Sequence, residues 1–249
     1  MAAAHNTVQK SHTSSRWIKA APNSITAISI FFGFASIIFS TADHFFKAAL
    51  FIILAAAADT IDGRVARLLR AESKFGIEFD SFADAISFGV APAVLINLWA
   101  FKLMPYVGWP VAFIYMICAI LRLVRFNVMH QVEDVRYFQG LPVLTPACLI
   151  ALFVIFSQNY LDGEFSLIGR FFLAGVVAVL ALLMISSVPY RNPKALSSKT
   201  LPLPLLVAVV IVWAASSIIW YDAVPFFLFL AYALSGPIEF IVRALSGKR

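Results

Sequence analysis

Charge is scarce in this sequence. Only 13% of its 249 residues are Asp, Glu, Lys or Arg, against 61% hydrophobic, and that balance excludes an ordinary soluble domain. With 24 Phe and a mean hydropathy of +0.89, the chain reads as an integral membrane protein. Cysteine is nearly absent. Cys118 and Cys148 stand in apolar surroundings without CxxC or Cys/His spacing, which argues against a disulfide framework or a zinc site and leaves them as small buried hydrophobes. The histidines, His5, His12, His44 and His130, never fall at metal-ligand spacing. The first twenty residues lack the apolar core of a signal peptide, so a retained, solvent-exposed tail is expected over 1–21. No fixed-period repeat is visible.

What the chain has instead is eight apolar stretches, near 24–41, 45–66, 80–101, 106–127, 141–159, 167–188, 201–220 and 224–243. Each is about the length that crosses a bilayer. Asp43, Pro105, Glu133, Asp134, Asp162, Gly163, the link from Pro189 to Lys199, and Asp222 separate them as turn and solvent signals. The expected fold class is an all-α integral membrane protein of about eight transmembrane helices. Of the 19 Lys and Arg, sixteen fall on alternate loops, leaving only Lys47, Lys102 and Arg170 for the other side. The positive-inside rule then places both termini in the cytoplasm. The net charge of +6 suits anionic lipid headgroups better than nucleic acid. Trp99, Trp109 and Trp220, near span ends, read as interfacial anchors.

Acid, by contrast, is concentrated. Asp59, Asp62, Glu72, Glu78, Asp80 and Asp84, six of the 13 acidic residues, crowd into the 26 positions of 59-DTIDGRVARLLRAESKFGIEFDSFAD-84. Ionisable groups near a bilayer are costly and mark function. If the second span continues to about Leu69, then Asp59, Asp62, Gly63 and Ala66 stand at i, i+3, i+4 and i+7. In the third span Asp80, Asp84 and Ser87 stand at i, i+4 and i+7, so each set forms one helical stripe. The short turn carrying Ser73, Lys74, Phe75 and Gly76 makes the two helices antiparallel neighbours, and four carboxylates converge. They repel one another unless cations neutralise them. Hard oxygen ligands without His or Cys point to two divalent metals, Mg²⁺ or Mn²⁺, and paired metals of that kind clamp phosphoryl oxygens. The expected substrate is a phosphate ester. Gly63 and Ala66 either clear room for a nucleobase beside the acids or permit close helix packing; both readings stay open. Arg67 or Lys74 would meet phosphate charge.

The pattern Asp59-x2-Asp62-Gly63-x2-Ala66-Arg67-x8-Gly76-x3-Asp80-x3-Asp84 resembles the complete signature of the CDP-alcohol phosphotransferases. That resemblance implies a six-helix core, placed here at 22–190, followed by a link, two further helices and a basic end over 191–249. It also implies metals held by Asp59, Asp62, Asp80 and Asp84, with Asp84 as the catalytic base. A CDP site would then include Asn23, Thr26, Asp59, Gly63, Ala66, Arg67, Ser73, Gly76 and Asp80. The implied reaction moves a phosphatidyl group from CDP-diacylglycerol to an alcohol with release of CMP, in a homodimer within the inner membrane.

The runs 72-ESKFGIEFDSFADAISFGVAPA-93, 121-LRLVRFNV-128 and 138-FQGLPVLTPA-147 resemble the membrane-spanning group of phosphatidylserine synthases, which implies L-serine as the acceptor. A zwitterion needs a cationic partner for its carboxylate, and Arg122 or Arg125 would serve, with Asn127 and Gln139 adding hydrogen bonds and Lys194 a further phosphate contact. Alternatively these arginines snorkel to lipid headgroups. At 22-PNSIT-26, helix capping by Asn23 or Ser24 competes with diphosphate binding. Ser87, Phe88 and Gly89 read as packing residues. The competing functions are a sister enzyme that uses glycerol 3-phosphate or inositol phosphate, and a cation transporter whose carboxylates line an ion path.

Overall fold

The computed structural model describes residues 23–69, 73–129, 137–160, 165–191 and 223–245. The amino-terminal tail, the expected seventh span near 201–220, Trp220 and Lys194 lie outside the described residues. Seven helices occur among the described residues: α1 (Asn23–Thr41), α2 (Phe45–Leu68), α3 (Lys74–Ala100), α4 (Pro105–Met129), α5 (Leu144–Tyr160), α6 (Leu167–Ile185) and α7 (Ala223–Leu245). Their bounds follow the apolar stretches closely, except that α3 starts six residues earlier than the expected span near 80–101.

Among the described residues, α1, α3, α4 and α6 are long and apolar enough to cross a membrane. The chain is therefore a helical, membrane-embedded protein. α2 has the length, but its central and terminal charges, Lys47, Asp59, Asp62, Arg64 and Arg67, remove it from that set. α5 is shorter, at 17 residues.

Small residues set the packing. α2 presents Ala48, Ala49, Ala55 and Ala56 with Ile52 and Ile53 to the interior, and packs on α5, which returns Ala147, Cys148, Ala151 and Leu152. Both cysteines are buried and free, as expected. Close approach of this kind is how helices associate where lipid is as apolar as the side chains. α1 crosses α3 at Gly33, where a Cβ would lie 2.5 Å from Ser87 Oγ. Hydroxyls pin the crossing. Ser87 donates to the Ser29 carbonyl at 3.0 Å, and Ser29 donates to the Ala55 carbonyl of α2 at 3.2 Å. At the opposite end from the acids, exposed Lys102 bridges to Asp43 at 3.0 Å, joining two turns at a contribution of about 0–1 kcal/mol.

Trp99 does not sit at the interface. It is buried, edge-on to Phe153 at 5.8 Å and to Phe165 at 5.3 Å, because α3 turns it inward against α5. Trp109 is exposed, as an anchor would be.

α3 is not uniform. Residues Ala85–Val90, just after Asp84, wind as a π-helix, in which the Ala91 N–H reaches back to the Ile86 carbonyl. Such insertions recur at functional sites. Four residues past Phe88 stands Pro92, which has no N–H to return the α-helical bond. Tyr115 of α4, wholly buried, donates its hydroxyl to the Phe88 carbonyl at 3.1 Å instead.

The sequence pattern had no place for sheet, yet Tyr137–Gln139 (β1) pairs antiparallel with Pro189–Arg191 (β2), Phe138 opposite Tyr190 and Gln139 opposite Pro189. Three-residue strands are too short to leave an alternating signal.

Candidate metal and nucleotide site

The end of α2 and the start of α3 bring the acids together. One carboxylate oxygen each from Asp59, Asp62 and Asp80 lie within 4.8 Å of one another. Asp84, one turn beyond Asp80, lies within electrostatic reach of Asp59, Asp80 and Asp62. Its Oδ1 is buried and makes no hydrogen bond.

That arrangement fits a hard cation. Ligand bonds of about 2.0–2.6 Å place oxygens on opposite sides of one ion about 4–5 Å apart, and an all-oxygen set without His or Cys suits a hard divalent cation. Four carboxylates at this separation are costly without a cation, and a buried carboxylate oxygen lacking a donor is the kind of atom a cation satisfies.

Thr26 of α1 closes the site from one side. Its hydroxyl donates to Asp62 Oδ2 at 2.8 Å, and both residues are buried. The hydroxyl therefore orients a carboxylate. Asn23, one turn earlier, lies beside Gly76. A Cβ on Gly76 would come within 3.4 Å of Asn23 Oδ1 and 3.2 Å of Ser73 Oγ. Ser73 caps α3 by accepting from the Gly76 N–H at 3.0 Å, so the two helix starts meet next to the acids.

Gly63 bears on one of the open choices. A Cβ there would meet nothing within 4 Å, so this glycine is not a contact point for another helix of the described residues. It leaves open space one residue from Asp62. Ala66 stands one turn further along the same stripe and is half-buried. Arg67 is exposed and folds along its own helix, Nε donating to the Gly63 carbonyl at 2.8 Å.

The residues expected to meet an acceptor divide. Arg125 donates through Nη1 to the Ile185 carbonyl at 3.3 Å and the Ser186 carbonyl at 3.5 Å, and through Nη2 to Gln139 Oε1. Arg122 is buried, its guanidinium 5.8 Å from the Phe126 ring centroid. Neither guanidinium snorkels in a simple way: one is tied to backbone, the other enclosed. Asn127 donates to Ser81 Oγ at 2.8 Å, which links the end of α4 to the residue after Asp80.

Sequence reasoning missed Ser29, Tyr115 and Tyr190 as organisers of the site's frame. Pro92, four residues past Phe88, was the available signal for Tyr115, and Pro237, four residues past Ala233, was that for Tyr190; Ser29 left none.

Comparison with known proteins agrees with this geometry. The profile of the CDP-alcohol phosphatidyltransferase family matches residues 19–188. A CDP-diacylglycerol–serine O-phosphatidyltransferase of Helicobacter pylori is 37% identical over 175 residues, covering 70% of this chain and 72% of that protein. One from Mycobacterium tuberculosis is 33% identical over 229 residues, covering 90% and 78%. An archaetidylserine synthase of Methanothermobacter thermautotrophicus is 35% identical over 183 residues, 73% of each chain.

Proposed function

The chain belongs to the CDP-alcohol phosphatidyltransferase family, and from that premise we propose that it is a CDP-diacylglycerol–serine O-phosphatidyltransferase, converting CDP-diacylglycerol and L-serine to phosphatidylserine and CMP. The observation that carries this reading is the convergence of Asp59, Asp62 and Asp80 beside the open space at Gly63. Serine is the acceptor word shared by the names of the similar proteins, bacterial and archaeal alike.

The serine hydroxyl oxygen bonds to the lipid-bearing phosphorus of CDP-diacylglycerol as the bond from that phosphorus to the bridging oxygen breaks. CMP leaves with the electron pair, and Asp84 takes the hydroxyl proton. Asp59, Asp62 and Asp80 would hold the metal, with Asp84 completing the set. Two divalent ions, Mg²⁺ or Mn²⁺, would supply charge neutralisation for the diphosphate and the departing CMP. Thr26 fixes the Asp62 carboxylate through its hydroxyl. Gly63 and Ala66 leave room for the base, while Asn23, Ser73 and Gly76 border the neighbouring helix starts. Arg67 meets phosphate charge. On the acceptor side, Arg125 donates to Gln139 and Asn127, on the same helix, donates to Ser81; L-serine binds among these residues, with Arg122 as a further cationic partner and Lys194 as a further phosphate contact.

The catalytic unit is residues 22–190, a range the family match supports. The charge asymmetry of the loops supports a multi-pass protein of the inner membrane with its acids and both termini on the cytoplasmic side. The working form is a homodimer surrounded by membrane lipid.

The test is CMP release from CDP-diacylglycerol by the purified protein with Mg²⁺ or Mn²⁺, in parallel with L-serine, glycerol 3-phosphate and no acceptor. Serine-dependent release with phosphatidylserine as product supports the reading. Release with glycerol 3-phosphate alone overturns the acceptor, and no release with any of them overturns the enzyme. Asp84→Asn is expected to keep CDP-lipid binding and lose turnover; near-normal turnover removes Asp84 as base.

A further inference from the structure

Helix α7 lies outside the region matched by the family profile, which ends at residue 188, and its sequence carries no recognisable motif. It packs nonetheless on α5 and on β2. The contact with β2 is built around Tyr190. This side chain is wholly buried, and its hydroxyl donates to the Ala233 carbonyl of α7 at 3.1 Å.

That carbonyl needs an outside donor. In an α-helix Ala233 would accept from the residue four positions on, which is Pro237, inside α7 and without an N–H. In a membrane protein a backbone group freed by proline is satisfied by a neighbouring element, and here the Tyr190 hydroxyl does so. Gly236 makes the slot for the ring: a Cβ there would lie 2.4 Å from Tyr190 Cζ and 2.5 Å from Cε1. The Gly236-Pro237 pair thus supplies both the notch and the carbonyl that Tyr190 fills.

Tyr190 stands in turn at the centre of the frame that carries the acceptor-side residues. It is opposite Phe138 in the two-stranded ladder, with Gln139 opposite Pro189. Beyond the ladder the Gly140 N–H donates to the Val188 carbonyl at 2.8 Å and the Leu141 N–H to the Leu183 carbonyl at 3.0 Å. Gly140 has φ 80°, and a Cβ there would lie 2.5 Å from the Met184 carbonyl oxygen, so only glycine lets the segment press onto the end of α6. Arg125 clasps the same assembly through Ile185, Ser186 and Gln139. A continuous set of contacts runs from α7 through Tyr190 and the ladder to Gln139, Arg125 and α4, and by Asn127 to Ser81 beside Asp80.

We propose that α7 is a positioning element for the acceptor half of the site and that Tyr190 is the positioning residue through which it acts. The inference rests on the reading of Arg125 and Gln139 as the serine-binding side.

The test uses the full chain in detergent–lipid micelles and measures kcat and KM separately for L-serine and CDP-diacylglycerol. Tyr190→Phe keeps the ring and removes only the hydroxyl; Gly236→Ala drives a methyl into the ring. Loss of one ordering hydrogen bond should raise the serine KM by about 2- to 10-fold in Tyr190→Phe, with the CDP-diacylglycerol KM unchanged. Gly236→Ala should move the serine KM in the same direction and further. Thermal unfolding identifies any variant that has not folded, and Tyr190→Phe then decides alone. An unchanged serine KM in the folded variants overturns the proposal, as does a matched rise in both KM values, which would mark a general loosening. Wild-type protein without serine-dependent CMP release would instead overturn the functional reading on which the proposal stands.

Discussion

Replacing Gly63 by alanine should make the protein more stable and less active. Gly63 sits inside α2 (Phe45–Leu68), is exposed, and a Cβ there meets nothing within 4 Å. Alanine therefore gains the helix preference of about 0.5–1 kcal/mol over glycine without a steric cost, which corresponds to a rise in Tm of about 1–4 °C for a chain of this size. The gain in the free protein becomes a loss in the complex if the nucleoside of CDP-diacylglycerol occupies that space. Forcing one methyl into a filled site costs about 1–3 kcal/mol, so kcat/KM should fall roughly 5- to 150-fold. The assay pairs thermal unfolding of the metal-free protein with CMP release across a CDP-diacylglycerol titration, and Gly63→Leu should deepen the catalytic loss. A raised Tm with full activity would mean that no ligand uses the space. A lowered Tm would mean that the glycine is a packing contact after all.

Thr26→Val removes the donor to Asp62 Oδ2 and should cost about 1.5–3 kcal/mol, the range for a hydrogen bond to a charged group, whereas Thr26→Ser should retain the fold; equal unfolding temperatures for the two variants would contradict this. Tyr115→Phe leaves the Phe88 carbonyl without its hydroxyl partner and should lose about 1–3 kcal/mol of stability together with turnover, because the π-helical segment it braces begins right after Asp84; unchanged stability would show that the carbonyl finds another donor. Millimolar Mg²⁺ should raise Tm in wild type by relieving repulsion among Asp59, Asp62, Asp80 and Asp84, and should do so less in Asp59→Asn. Chelation should abolish CMP release reversibly, and an unaltered Tm with Mg²⁺ would argue against a cation at this cluster.

The carboxylate cluster was legible in the sequence because its information is local. Helical spacing alone puts Asp59 and Asp62 on one stripe and Asp80 and Asp84 on another, and the short turn between them leaves little freedom in how the stripes meet. The structure's cluster follows from that. The choice at Gly63 was not legible, since small residues serve both helix packing and ligand space, and only the three-dimensional surroundings separate the two. Trp99 was misread for a related reason. Proximity to a span end says nothing about which face of the helix a ring occupies, and α3 presents this one to Phe153 and Phe165.

The side proposed for the acceptor was the least legible because its bonds join distant parts of the chain. Arg125 meets carbonyls some 60 residues later, and carbonyls carry no sequence signature. Yet two of the long-range bonds share a rule that can be read from sequence. Tyr115 donates to Phe88, four residues before Pro92, and Tyr190 donates to Ala233, four residues before Pro237. Each proline removes the N–H that its helix would have offered to that carbonyl. Where water is absent the vacancy must be filled from another element, and a tyrosine hydroxyl reaches across a helix interface to do so. An interior proline in an apolar helix thus identifies a carbonyl in need of a donor, and a buried tyrosine elsewhere in the chain becomes its candidate partner. On that logic Pro110, inside α4, directs attention to the carbonyl of Tyr106. Tyr106 itself lies at the exposed start of α4, where solvent can serve, which is why a third tyrosine clasp is not required there.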